Sequence, residues 1–292
     1  MTHSAISVVN ALATGKGAAI GIDLKCKVEA RTVPRVNSGH TEFKILSDLP
    51  DAHDLARASV LFALKQIGYN IPEDLSLSLR IESEIPIAVG LKSSSALSVA
   101  VVESVFKLFG KELGHKEILN TSCAASKYCG ASITGAYDDA SASLLGGLVL
   151  TDNTLFRIVK HERVPEELGS IVLVRIPERA KRFTSSVDTR VYGRFRKESS
   201  EAFEFARKMD ITQAMVENSI AQCAALDYSF GPISEALLNG ASVAGLSGKG
   251  PAIAAICSSS KIGERVSRAW LESNQGVRFI KTNLVQPQFL LR

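Results

Sequence analysis

"EIPIAVGLKSSSALSVAVVESVFKLFG", Glu84 to Gly110, sets three consecutive serines between a Gly-Leu-Lys turn and a strongly apolar run. Serine favours a helix start because its hydroxyl accepts a hydrogen bond from a free backbone N–H, but one cap uses one serine. From Ala96 to Phe109 the polar positions are Ser98, Glu103, Ser104 and Lys107. The run therefore reads as a largely buried helix, ended by Gly110 in a left-handed cap. A buried helix must satisfy its free N-terminal amides. Here they lie beneath small residues that let a ligand approach the backbone, beside hydroxyls suited to a phosphate or Mg2+. Two readings stay open at this level: a phosphate site, or a helix with more capping groups than it needs.

Composition narrows the class. The chain has 292 residues, enough for one large domain or two ordinary ones, with 46% apolar and 22% charged residues. The net charge of +4 comes without a Lys/Arg block. No nucleic-acid partner is expected, and an anionic small molecule suits the balance. No stretch approaches the roughly 18 apolar residues of a membrane span, so no membrane partner is expected either. The start "MTHSAISVVNALATGKG" shows no charged n-region or cleavage signature, so we expect no signal peptide. Cys26, Cys123, Cys129, Cys223 and Cys257 form no CxxC pair, and their odd number argues against a disulfide framework. The five histidines are scattered and suggest no metal cluster. A reducing cytoplasm is the simplest compartment.

Strands are expected over 4–13 and 18–32, a helix over 52–67, and an alternating strand over 75–82. The serine-led helix follows, then a second helix around 115–128 and strand character in "SLLGGLVLTD". The charged stretch "RIVKHERVPEELGS" reads as a separator before a buried strand at 171–177. Helices near 198–208, 211–225 and 261–273 and strands near 252–257 and 277–283 complete the pattern. Strands and helices do not alternate as regular βαβ units, which favours α+β over a doubly wound sheet. A domain boundary is expected near 155–165, giving halves 1–160 and 161–292.

Two further glycine segments bear on the serine turn. "AGLSGKGPA", Ala244 to Ala252, carries glycines at 245, 248 and 250 before a proline, a turn that permits positive φ and close backbone approach. "VVNALATGKGAAIGID", Val8 to Asp23, runs an apolar strand into a Gly-Lys-Gly turn. Neither Gly15-Lys16 nor Gly248-Lys249 is followed by Ser or Thr, so no Walker A loop is present. "ITGAYDDASASLLGG" adds adjacent acids, Asp138 and Asp139, which cannot share one face of a regular element. They serve different tasks, or only one matters; a turn-capping role is the plain alternative.

Together these motifs resemble the GHMP small-molecule kinases. "PIAVGLKSSSA" is similar to that family's phosphate loop, "GLSGKGPA" to its C-terminal glycine motif, and "VVNALATGKGAA" stands where its N-terminal motif does. Within the family, "NALATGKGAAIGIDL", "TGAYDDASAS" and "GLSGKGP" resemble the archaeal-type shikimate kinases. The resemblance covers most of the chain. It implies a two-domain α+β GHMP kinase fold, with a ribosomal-protein-S5-like N-terminal domain, a ferredoxin-like C-terminal domain and the active site between them.

It also implies ATP and Mg2+ as cofactors and shikimate as the hydroxyl acceptor. Homoserine kinase or another GHMP kinase is the alternative within the class, and a catalytically inactive GHMP-fold binding protein the alternative outside it. The implied nucleotide-binding residues are Pro86, Gly90, Leu91, Lys92, Ser93, Ser94, Ser95 and Ala96, with Gly248 and Gly250. Ser94 and Ser95 are the candidate metal ligands. Lys92 departs from the small residue common at its place, and either holds phosphate or faces solvent. Counting seven residues back from Gly146, where relatives have an Asp acting on the substrate hydroxyl, gives Asp139.

Other positions depart from the family. The glutamate Mg2+ ligand of mevalonate kinase and similar relatives corresponds to Tyr128, leaving the loop serine, phosphate oxygens, water and the candidate Asp138. The phosphate-facing lysine of several relatives corresponds to Val8; Lys16 either substitutes for it or is an exposed turn residue. A substrate carboxylate calls for arginine, whose planar fork matches two oxygens. "SSVDTR" resembles a homoserine-kinase segment whose arginine meets the substrate carboxylate, which marks Arg190, with Arg194 next. A monomer or homodimer is expected.

Overall fold

The computed structural model describes residues 1–33, 42–47, 52–69, 76–178, 189–273 and 276–291. In the first half, β1 (Thr2–Val9) turns into the long β2 (Lys16–Thr32). β2 pairs antiparallel with β1, with β4 (Ser76–Ser83) and with β5 (Leu148–Asp152). β3 (Glu42–Leu46) adds parallel to β4, and β6 (Arg157–Glu162) adds antiparallel to β5, so the sheet has six strands. Here the structure corrects the reading of "RIVKHERVPEELGS" as a mere separator. Its first six residues form strand β6. That strand pairs on one side with β5, and an edge strand can carry charge on its solvent side.

Four helices cover this sheet: α1 (His53–Gln66), α2 (Ser93–Leu108), α3 (His115–Tyr128) and α4 (Tyr137–Leu145). α2 is buried almost all round, from Ser95 through Val102 and again at Val105 and Phe106. Two of its polar residues answer to neighbours. Ser98 Oγ donates to the Ser122 carbonyl at 2.9 Å, and Ser104 Oγ accepts from Ala30 N at 2.8 Å. Truncating the buried Phe106 to Ala costs about 3–5 kcal/mol in such a core. α4 was not expected from sequence. It is short, serine-rich and framed by glycines, so neither propensity nor period announces it.

The second half contains the antiparallel sheet β10-β7-β9-β8. Its strands are β7 (Ile171–Pro177), β8 (Val243–Leu246), β9 (Ile253–Cys257) and β10 (Val277–Asn283). Its helices are α5 (Arg196–Arg207), α6 (Ile211–Leu226), α7 (Gly231–Leu238) and α8 (Ser260–Ser273). Trp270 anchors α8. It is fully buried, stacks on Phe279 and donates its indole N–H to the Pro232 carbonyl at 2.7 Å. After β10 the chain returns to the first sheet, where Val285 N donates to Gly21 O at 2.9 Å and Gly147 N to Val285 O at 2.7 Å. The halves thus share backbone hydrogen bonds, and one apolar cluster includes Val8 and Leu64 together with Val174 and Ala254.

Candidate active site

Where the halves meet, a cavity of about 420 Å³ opens between the start of α2, the start of α4 and the turn after β8. The serines belong to the first turn of α2, with Lys92 as the preceding residue in the left-handed region at φ 62° and ψ 26°. Ser93, Ser94 and Ser95 all line the cavity; Ser94 is exposed and Ser95 buried. Lys92 gives α2 no side-chain cap, and neither it nor its neighbours place an acid in the first turn. The dipole end of α2 therefore faces the cavity, an arrangement that suits an anion.

The glycine turn is fitted against that loop. Gly90 has φ +93°, and a Cβ there would run into the Ser247 carbonyl oxygen. Ser247 Oγ donates to Gly90 O at 2.8 Å and accepts from Ser7 N at 3.2 Å. Asn10 joins the N-terminal motif to the same turn, its Nδ2 donating to Gly248 O at 3.1 Å. Ser7 is the hub: its Oγ accepts from Lys92 Nζ at 2.6 Å and from Gly248 N at 3.0 Å. The three motifs are thus one hydrogen-bonded unit.

The acid pair stands opposite. Asp139 Oδ1 lies 2.9 Å from Lys92 Nζ, with side-chain exposures of 17% and 7%. Lys92 therefore does not face solvent: it forms an ion pair with Asp139. Asp138 is buried beside it. Its Oδ1 accepts from Asn153 Nδ2 at 2.8 Å, and Asn153 Oδ1 in turn accepts from Thr151 Oγ1 at 2.6 Å. Burial first, then the neighbouring Asp139 charge, pushes the Asp138 carboxyl up to about 7, against the lowering effects of Lys92 and Asn153. Room for this carboxylate comes from Gly17, where any Cβ would collide with Asp138 Oδ2. The two acids thus differ as adjacent positions should: one is paired at the cavity, the other held from behind.

Gly90, Leu91, Lys92, Gly248 and Asp138 join the serines and Asp139 in the lining, whereas Pro86, Ala96 and Gly250 do not line it. Lys16 is not brought to the cavity; it is exposed, with its Nζ 5.7 Å from the ring centroid of Phe203 on α5. Val8 is fully buried. The lysine beside the acid pair comes from the phosphate loop instead of the first strand. Arg190 and Arg194 lie in a short 3-10 helix, Thr189–Phe195, are exposed, and do not line the cavity. The preceding "SSVD" of their motif lies outside the described residues. Among the described residues, no three His, Cys, Asp or Glu side chains converge as a metal cage. The hydroxyls of Ser94 and Ser95 fit Mg2+ that keeps water and phosphate oxygens as most of its ligands.

Sequence reasoning missed Ser7, Asn153 and Lys249. Ser7 is one residue of an ordinary strand, and Asn153 lies in the turn after β5; neither carries a local signal. Lys249 stood inside a quoted motif and was weighed only against the Walker pattern. It lines the cavity, and burial, then the nearby Lys92, holds its amine down at about 8 despite Asp139.

A serine-led helix end, an interlocked glycine turn and a carboxylate thus meet at one cavity. Residues 54–147 match the sequence model of the GHMP kinases N terminal domain. The fold is similar to Methanococcus jannaschii mevalonate kinase (TM-score 0.71, 17% identity, 97% of each chain covered). It is also similar to homoserine kinase from Cytophaga hutchinsonii (TM-score 0.71, 16% identity, covering 99% of this chain and 96% of that one). Much higher identity links the chain to archaeal shikimate kinases. That of Pyrococcus furiosus is 35% identical over 92% of this chain and 93% of its own. That of Methanosarcina mazei is 34% identical over 95% and 91%. The chain belongs to this shikimate kinase family within the GHMP kinases.

Proposed function

We propose that the protein transfers the γ-phosphoryl group of ATP to a hydroxyl of shikimate, giving shikimate 3-phosphate. The observation that carries this reading is the convergence of the α2 N-terminus, the glycine turn and the Lys92–Asp139 pair on one cavity. The identity to archaeal shikimate kinases supports the choice of acceptor. Residues 1–160 and 161–292 are the two halves that flank the substrates.

In this reading the phosphates lie against the α2 amides and the Ser93–Ser95 hydroxyls, and the apolar end near Leu55, Leu97 and Cys129 receives the base. Ser94 and Ser95 would hold Mg2+, which neutralises phosphate charge when bound. Asp139 accepts the proton of the attacking hydroxyl as the phosphoryl group moves, and Lys92 keeps its carboxylate aligned. Asn153 fixes Asp138 behind it. Most of the catalysis is positioning and electrostatics. We also assign the substrate carboxylate to Arg190, with Arg194, from the second half; neither lines the cavity, so that contact would be made outside the described lining.

Among the described residues no helix is long and apolar enough to cross a membrane. The five cysteines are free, which suits a cytoplasmic enzyme. We assign it as a monomer or homodimer.

Purified protein, Mg-ATP and a panel of shikimate, homoserine, mevalonate and galactose, followed by ADP release, tests the assignment. Turnover with shikimate alone is expected. Turnover with homoserine alone would replace the substrate, and ATP binding with no turnover on any acceptor would indicate an inactive binding protein.

A further inference from the structure

Two lysines face the acid pair, and the geometry gives them different work. Lys92 is engaged on both sides, by Asp139 Oδ1 at 2.9 Å and Ser7 Oγ at 2.6 Å, and its side chain is only 7% exposed. Drawing its ammonium away to a ligand would break a nearly buried ion pair. Lys249 comes from the other half of the protein and lines the same cavity. Its backbone is set in place. Gly248 and Gly250 flank it at φ +58° and +68°. Gly250 N donates to Ser247 O at 2.9 Å, and Tyr228 Oη donates to the Lys249 carbonyl at 3.4 Å. Its neighbour Gly248 is held by Ser7 and Asn10.

We propose that Lys249 binds the terminal phosphate of the nucleotide, while Lys92 stays with Asp139 as a positioning residue. The proposal rests on the cavity being the ATP site. Tyr128 is 75% exposed and is not part of the cavity lining, so the departure from the family at that position bears on neither lysine.

A consequence follows in protons. Among the described residues, the charged groups that act on Lys249 include Lys92 from the phosphate loop and Asp139 from α4, and Tyr228 touches its backbone. Without nucleotide, burial and Lys92 hold the Lys249 amine at about 8. A bound phosphate favours the ammonium, so one proton passes from solvent to Nζ in the fraction of molecules that lacked it. At pH 8.5 a group titrating at about 8 is roughly one quarter charged, so binding takes up most of one proton. Affinity for ATP then falls as pH rises through about 8, since the free protein must first gain that proton.

The test is calorimetry of Mg-ATP and Mg-ADP binding to the whole chain at pH 8.5, in buffers of different ionisation enthalpy, with the wild type, Lys249→Met and Lys249→Arg. Expected are proton uptake with wild type and Mg-ATP, and at least tenfold weaker Mg-ATP binding by Lys249→Met, with a smaller loss for Mg-ADP. Lys249→Arg should retain affinity without proton uptake, because guanidinium is charged throughout. Uptake that persists in Lys249→Met would assign the proton to Asp138 and overturn the proposal. Unchanged affinity in Lys249→Met would also overturn it while leaving the ATP site standing. A wild type that binds no ATP would remove both. Circular dichroism of each variant establishes that a loss of affinity is not a loss of fold.

Discussion

The Lys92–Asp139 pair can be measured as an interaction, apart from any activity. In Lys92→Met, Asp139 is left beside Asp138 with its nearest cation gone. In Asp139→Asn, Lys92 keeps the Ser7 hydroxyl and has a neutral amide in place of the carboxylate. Charges 2.9 Å apart attract by about 6 kcal/mol at an effective dielectric of about 20, before desolvation is subtracted. Removing one partner of a buried pair costs about 3–5 kcal/mol. Asp139 is 17% exposed toward the cavity, so water recovers part of that cost. We expect each single variant to lose about 2–4 kcal/mol, and the double variant to lose clearly less than the sum. The coupling energy should be about 2 kcal/mol. Urea unfolding at pH 7.5 of wild type, both singles and the double closes the cycle, with equal m-values required for the comparison. A coupling below about 0.5 kcal/mol would mean that solvent screens the pair, and Lys92 would lose its role in aligning Asp139.

Asp139→Asn should lower kcat by roughly 10²–10⁴ with little change in the KM for ATP, measured by ADP release; equal, mild losses in Asp138→Asn and Asp139→Asn would contradict a catalytic base at Asp139. Asp138 offers a stability test. Its carboxyl is raised from 3.8 to about 7 on folding, so the folded protein holds a proton that the unfolded chain gives up across that window. That contribution to stability is present at low pH and is lost as pH rises toward 7. Asp138→Asn should therefore gain on wild type by a few kcal/mol between pH 5 and 8, read from paired melting curves, and parallel curves would refute the burial argument. Gly17→Ala should displace Asp138 and depress activity while leaving β2 formed, checked by circular dichroism and turnover. Arg190→Met should raise the KM for shikimate tenfold or more, since a lost charge-assisted hydrogen bond costs about 1.5–3 kcal/mol, and should leave the KM for ATP unchanged.

The sequence by itself determined the long periodic elements. "HKEILNTSCAASKY" and "IVLVRIP" form over 115–128 and 171–177 as read, because a strong apolar period or a short apolar run rich in Val and Ile leaves few alternatives. It also determined the family, since motif order and spacing survive in the chain itself. It did not announce α4 or strand β6, where glycine, serine and charge obscure the period and packing against β1, β2 and β5 supplies the decision. Nor could it tell which lysine serves which carboxylate. Lys92, Ser7, Asp139 and Lys249 are far apart along the chain, and their meeting depends on β1 lying between the phosphate loop and the glycine turn. Charges acquire roles only when folding brings them together and removes their water. Only the tertiary structure could therefore turn a solvent-or-phosphate lysine into the partner of Asp139 and leave Val8 in the core.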